Sequence, residues 1–86
     1  MKTNEIIGID VSKLLIDVCI YSKQIVEQFE NNKSGFKSML KWVFKNSSFS
    51  KEETMFIFEH TGMYSHLLSV FLTEQKTSFF IQNSFF

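Results

Sequence analysis

Ile6-Ile7-Gly8-Ile9-Asp10-Val11-Ser12-Lys13 is the stretch that decides how this chain is read. A run of strand-forming apolar residues closes on a single carboxylate and passes at once into a polar turn, the pattern of a short buried strand with a turn signal at its end. An ionised carboxylate taken out of water must be paired or must bind a cation. Asp10 therefore reads as a metal-ligand position at the exposed tip of a central strand. The rest of the chain is expected to build a sheet around it and to supply a second carboxylate.

Working outward, the first strand covers about 5–11. Ser12-Lys13 turns into a second run over 14–21, where Leu14, Ile16, Val18 and Ile20 share one face and Leu15, Asp17, Cys19 and Tyr21 the other. Ser22-Lys23 turns again into 24–30, whose charges suit an edge strand. These three strands predict an antiparallel meander. Asn31-Asn32-Lys33-Ser34 then breaks the pattern, with Ser34 the expected helix N-cap and Gly35 a weakness in the first turn. Phe36, Met39, Leu40 and Val43 form a helical core stripe, and Lys33, Lys37, Lys41 and Lys45 a solvated row beside it. A polar loop follows over 46–53.

Thr54-Met55-Phe56-Ile57-Phe58-Glu59 repeats the opening pattern, a β-run that closes on a carboxylate. His60-Thr61-Gly62 comes next, with Thr61 the expected N-cap of a helix whose stripe is Tyr64, Leu67, Leu68, Phe71 and Leu72. A last strand covers 77–82. The order β-β-β-α-β-α-β predicts an α/β fold: a mixed sheet in which βαβ crossovers follow the meander and helices pack on its face. Asp10 and Glu59 then close parallel strands that lie side by side, about 4.8 Å apart. Carboxylates at adjacent strand ends can share an ion, in the crevice where open α/β sheets bind ligands. Oxygen-only ligands suit Mg²⁺ or Mn²⁺ and argue against zinc. Sites that hold two such ions for phosphodiester chemistry usually use three or four carboxylates, and the strand ends here supply two.

Gly8-Ile9-Asp10-Val11-Ser12-Lys13, then Asn31-Asn32 to Gly35-Phe36, then Glu59-His60-Thr61-Gly62-Met63-Tyr64 together resemble the N-terminal part of the DEDD-type insertion-sequence transposases, the RuvC-like, bridge-RNA-guided DNA recombinases. The resemblance covers nearly all of the chain, and the first and last blocks are specific as a pair. It implies a ribonuclease H-like fold truncated at its C-terminus, so that 1–86 is the N-terminal portion of one such domain. Asp10 would be the first D and Glu59 the E of a catalytic, metal-binding tetrad. The last two D positions and the domain with the nucleophilic serine lie further along the family's chain. DNA, a guide RNA and other copies of the protein are the implied partners, and Mg²⁺ or Mn²⁺ the implied cofactor of the full-length site. Where the family usually reads Asn-Pro after the last strand, this chain reads Asn83-Ser84.

Each candidate has an ordinary reading beside it. Asp10 could cap a turn through its side chain, and Glu59 could be a helix-start acid favoured by the macrodipole. Asp17, mid-strand, reads as solvated or lysine-paired rather than as a third ligand. Ser12 and Lys13 could touch phosphate, but a tight turn needs small polar residues in any case. Thr61 and Gly62 could present backbone N–H groups to an anion, or form a plain cap. Tyr64 reads as core with its hydroxyl at the site mouth, and His60 and His66 as surface histidines. Trp42 could stack on a base, though a partly buried interface residue is the stronger reading.

Composition narrows the classes. With 86 residues there is room for one small domain, and 44% hydrophobic content with 11 Phe excludes a disordered tail. Nine cationic residues, all lysine, balance nine acids, so any contact with nucleic acid must be local rather than driven by net charge. The lone Cys19 is expected as a buried thiol. No apolar run approaches the roughly 20 residues that span a bilayer, and the N-terminus lacks a signal-peptide core, which together predict a cytoplasmic protein. The apolar end at Phe85-Phe86 suggests a piece of something longer. Two rival functions remain. An actin-like kinase or ATPase lobe also ends its first strand on an acid, but normally follows it with glycine where this chain has Val11-Ser12. A truncated chain that only binds partners is the other.

Overall fold

The computed structural model describes residues 3–59 and 62–82. Its elements are β1 (Glu5–Val11), β2 (Leu15–Ile20), β3 (Ile25–Glu30), α1 (Lys33–Asn46), β4 (Thr54–Glu59), α2 (His66–Glu74) and β5 (Ser78–Gln82), with short 3-10 turns at Lys51–Glu53 and Gly62–Ser65. They form one five-stranded sheet in the order β3-β2-β1-β4-β5. The meander pairs antiparallel, whereas β1–β4 and β4–β5 pair parallel. The expected order and topology both hold, and the α/β architecture is compatible with a ribonuclease H-like fold.

Alternation along the strands explains where the core sits. Ile7, Ile9 and Val11 of β1, Ile16, Val18 and Ile20 of β2, and Phe56 and Phe58 of β4 are buried with Phe36, Met39 and Val43 of α1 and Leu68, Phe71 and Leu72 of α2. Both crossovers, β3-α1-β4 and β4-α2-β5, step the same way across the sheet, so a single handedness lays both helices on one face. The opposite face carries Gly8, Asp10, Asp17, Cys19, Ile57 and Glu59, and none of these is fully buried. Cys19 is accordingly half-buried, not the core thiol expected.

Glu5 sits at the amino end of β1, opposite to Asp10, and is only 1% exposed. Its carboxylate accepts hydrogen bonds from Ser22 Oγ at 2.6 Å, Ser22 N at 3.2 Å and Ser47 Oγ at 3.0 Å. These bonds supply the buried carboxyl group with hydroxyl and backbone donors. They also tie the β2–β3 turn and the exit of α1 to the base of the central strand.

Several local expectations need correction. The N-cap of α1 is Asn32, not Ser34: its backbone is extended, and its side-chain oxygen accepts from Gly35 N at 2.8 Å. An Asn32→Ala variant should lose about 1 kcal/mol, read as a lower midpoint in thermal unfolding. Gly35 is no weakness, because a Cβ there would overlap the backbone of Glu30. Leu14 lies in the β1–β2 turn and is 73% exposed rather than sharing the buried face of β2. Tyr64 and Leu67 are exposed as well. The 3-10 turn at Gly62–Ser65 has a different period from the α-helix that starts at His66, so Tyr64 falls out of phase with the buried stripe. The lysine row is exposed as expected, and Trp42 is half-buried against Phe29, with ring centroids 5.7 Å apart.

Candidate metal centre

Two parallel neighbours carry the site. The β1–β4 register pairs Gly8 with Ile57 and Ile9 with Phe58, so the next step brings Asp10 level with Glu59. Both carboxylates are exposed, and both lie on the uncovered face. Across β1–β2, Asp10 pairs with Asp17, and across β4–β5 Glu59 pairs with Gln82. Asp17 pairs in turn with Gln28, whose Nε2 donates to Asp17 Oδ1 at 2.9 Å. One polar row, Gln28-Asp17-Asp10-Glu59-Gln82, therefore crosses all five strands at the carboxyl ends of β1 and β4.

This row borders an open groove of about 440 Å³ on the uncovered face, lined by Gly8, Cys19, Tyr21 and Ile57 among others. Gly8 lies under the exposed Tyr21 ring: a Cβ there would stand 3.0 Å from Cε1 of Tyr21, so the ring would have to shift by a few tenths of an ångström. The groove is apolar along the sheet and acidic at its end. Its carboxylate oxygens are the hard donors that Mg²⁺ and Mn²⁺ take. Among the described residues, no three of the His, Cys, Asp or Glu side chains converge closely enough to hold a metal ion by themselves. Asp10 and Glu59 thus fit part of a hard-cation site.

The other expected site residues divide. Ser12 serves the turn, its N–H and its Oγ each reaching Leu15 O at 2.9 Å. Lys13 is exposed in the same turn. Gly62 opens the 3-10 turn after β4, and Tyr64 within that turn is exposed rather than core. His60 and Thr61 lie outside the described residues, as do Asn83, Ser84, Phe85 and Phe86. His66 is exposed at the start of α2. Asp17, read from the sequence as a solvated mid-strand residue, lies beside Asp10 in the polar row. A two-residue Ser12-Lys13 turn would set Asp10 opposite Leu15, whereas the turn closed by Ser12 and Leu15 sets it opposite Asp17. Away from this end, Glu53 has its carboxyl held below the usual range by the Ser50 backbone N–H, the Asn4 amide and the Ser50 hydroxyl.

The family model of the DEDD transposases of IS110 type, described as a transposase, matches residues 7–84. The chain belongs to this transposase family. The match starts within β1 and reaches past β5, so the strand ends that carry Asp10 and Glu59 lie inside it. DNA is the partner that membership of a transposase family implies. No curated protein matches the sequence. Among the described residues of this transposase chain, no helix is long and apolar enough to cross a membrane.

Proposed function

We propose that Asp10 and Glu59 hold a Mg²⁺ or Mn²⁺ ion for DNA strand cleavage and exchange in transposition. The carrying observation is the parallel β1–β4 register, which sets the two exposed carboxylates side by side at the strand ends. When bound, such an ion polarises a phosphoryl oxygen and stabilises the charge that develops as a phosphodiester breaks. Asp17, held by Gln28, adds negative potential beside Asp10 and favours cation entry. Ser12, Lys13, Thr61, Gly62 and Tyr64 are proposed to touch the DNA backbone. With zero formal net charge, that contact depends on these local groups.

In this reading, 1–86 is the N-terminal portion of one RuvC-like, ribonuclease H-like domain of a cytoplasmic recombinase. The full-length protein would assemble with further copies of itself and a guide RNA. Two tetrad positions make a half-site, so the chain alone should bind metal weakly and cut no DNA. Calorimetric titration with Mn²⁺ tests the assignment: Asp10→Asn should weaken binding by about tenfold or more, through loss of one charged ligand. Unchanged binding would remove Asp10 from the site. Nicking of supercoiled plasmid by the 86-residue chain would refute the half-site.

A further inference from the structure

Asn31 stands in the link between β3 and α1, away from the carboxylates, yet it touches the segments that follow both of them. Its side-chain Nδ2 donates to Ser12 O at 2.8 Å and to Tyr64 O at 2.9 Å. Its own N–H donates to Leu14 O at 2.9 Å. Ser12 closely follows Asp10, and Tyr64 lies in the turn that follows Glu59. The β1–β4 register sets Ile9 beside Phe58, one residue before each carboxylate. Asn31 links the two segments that continue beyond the carboxylates.

The chemistry of this bridge selects asparagine. Both acceptors are main-chain carbonyls, which can only accept, so the group between them must donate twice. A primary amide does this from one nitrogen. An aspartate in its place would set oxygen against two carbonyl oxygens, and a serine has a single short donor. The Oδ1 atom of Asn31 is buried and has no hydrogen-bond partner among the described residues. An unsatisfied buried acceptor carries a cost, so the side chain is oriented by what its nitrogen holds. We propose that Asn31 is a positioning residue that sets the separation of Asp10 and Glu59, and so the cation affinity of the strand ends. This rests on the metal reading above.

The test uses the whole chain, ¹⁵N-labelled, titrated with Mn²⁺ while the amide signals of Asp10 and Glu59 are followed. In the unaltered protein both signals should broaden together at the same Mn²⁺ concentration. Asn31→Leu, close in volume and without a donor, should require about tenfold more Mn²⁺, the usual scale for losing a group that orients metal ligands. Asn31→Ser provides the same reading should the leucine variant fail to fold. Asn32→Ala controls for general loosening, since it removes a helix cap one residue away and should leave the titration unchanged. The proposal is overturned if Asn31→Leu, or Asn31→Ser in its place, titrates like the unaltered chain, or if Asn32→Ala shifts the titration as far. Absence of broadening in the unaltered chain is a different result: it brings down the metal reading itself, and the role of Asn31 with it.

Discussion

A Gly35→Ala variant should be less stable by about 3 kcal/mol, at the upper end of the cost of forcing atoms into a filled space. Helix propensity alone predicts the opposite, a gain of about 1 kcal/mol for alanine inside a helix. The sign is settled by what lies next to the first turn of α1. A Cβ at position 35 would stand 2.7 Å from the carbonyl carbon and 2.9 Å from the nitrogen of Glu30, and would overlap the carbonyl oxygen. These are backbone atoms at the end of β3, not the tip of a flexible side chain, so either the strand or the helix must move. A domain of this size loses about 4–8 °C of melting temperature per kcal/mol, so circular dichroism should show a fall of roughly 15 °C. A rise would mean that α1 and β3 are not packed as closely as described.

Phe56→Ala is the second large effect. Phe56 is fully buried on β4, between β1 and β5, with its ring edge-on to Phe44 at a centroid distance of 6.5 Å. Truncation to alanine removes the transfer free energy of the ring and leaves a cavity, about 3–5 kcal/mol in all. Small domains have total stabilities of roughly 5–15 kcal/mol, so much of the folding free energy would go. Urea denaturation should show a lower midpoint with the slope retained. An unmoved midpoint would mean that the core between β4 and α1 is not packed around this ring.

The strands and their order could be read from the sequence because period-two alternation in β1 and β2, and the two runs that close on Asp10 and Glu59, are local signals. The side-by-side parallel placement of the strands that end on those carboxylates followed from topology, and the β1–β4 register bears that out. What stayed hidden depended on contacts between distant parts of the chain. Asn32 and Ser34 both satisfy the rule for an N-cap, and only the bond to Gly35 N distinguishes them. Gly35 resembled a weak helix start because nothing local indicates that Glu30 comes so near. By spacing Tyr64 fits a helical phase, which the 3-10 turn at Gly62–Ser65 cancels. Asn31 belonged to a recognisable block, but its reach to two carbonyls on separate segments exists only in three dimensions.

The two sides of β1 differ in how far the chain must travel to reach them. Its antiparallel partner arrives after one tight turn, whereas its parallel partner lies 49 positions later, beyond all of α1. Loop closure over such a span is entropically harder, and contacts of that separation form late. Asp10 is therefore placed by a local hairpin, whereas Glu59 comes beside it only when the long connection through α1 has closed. A partly folded chain would carry the first carboxylate in place and lack the second. Any ligand that needs both would bind only the finished sheet and, by mass action, draw unfinished molecules toward it.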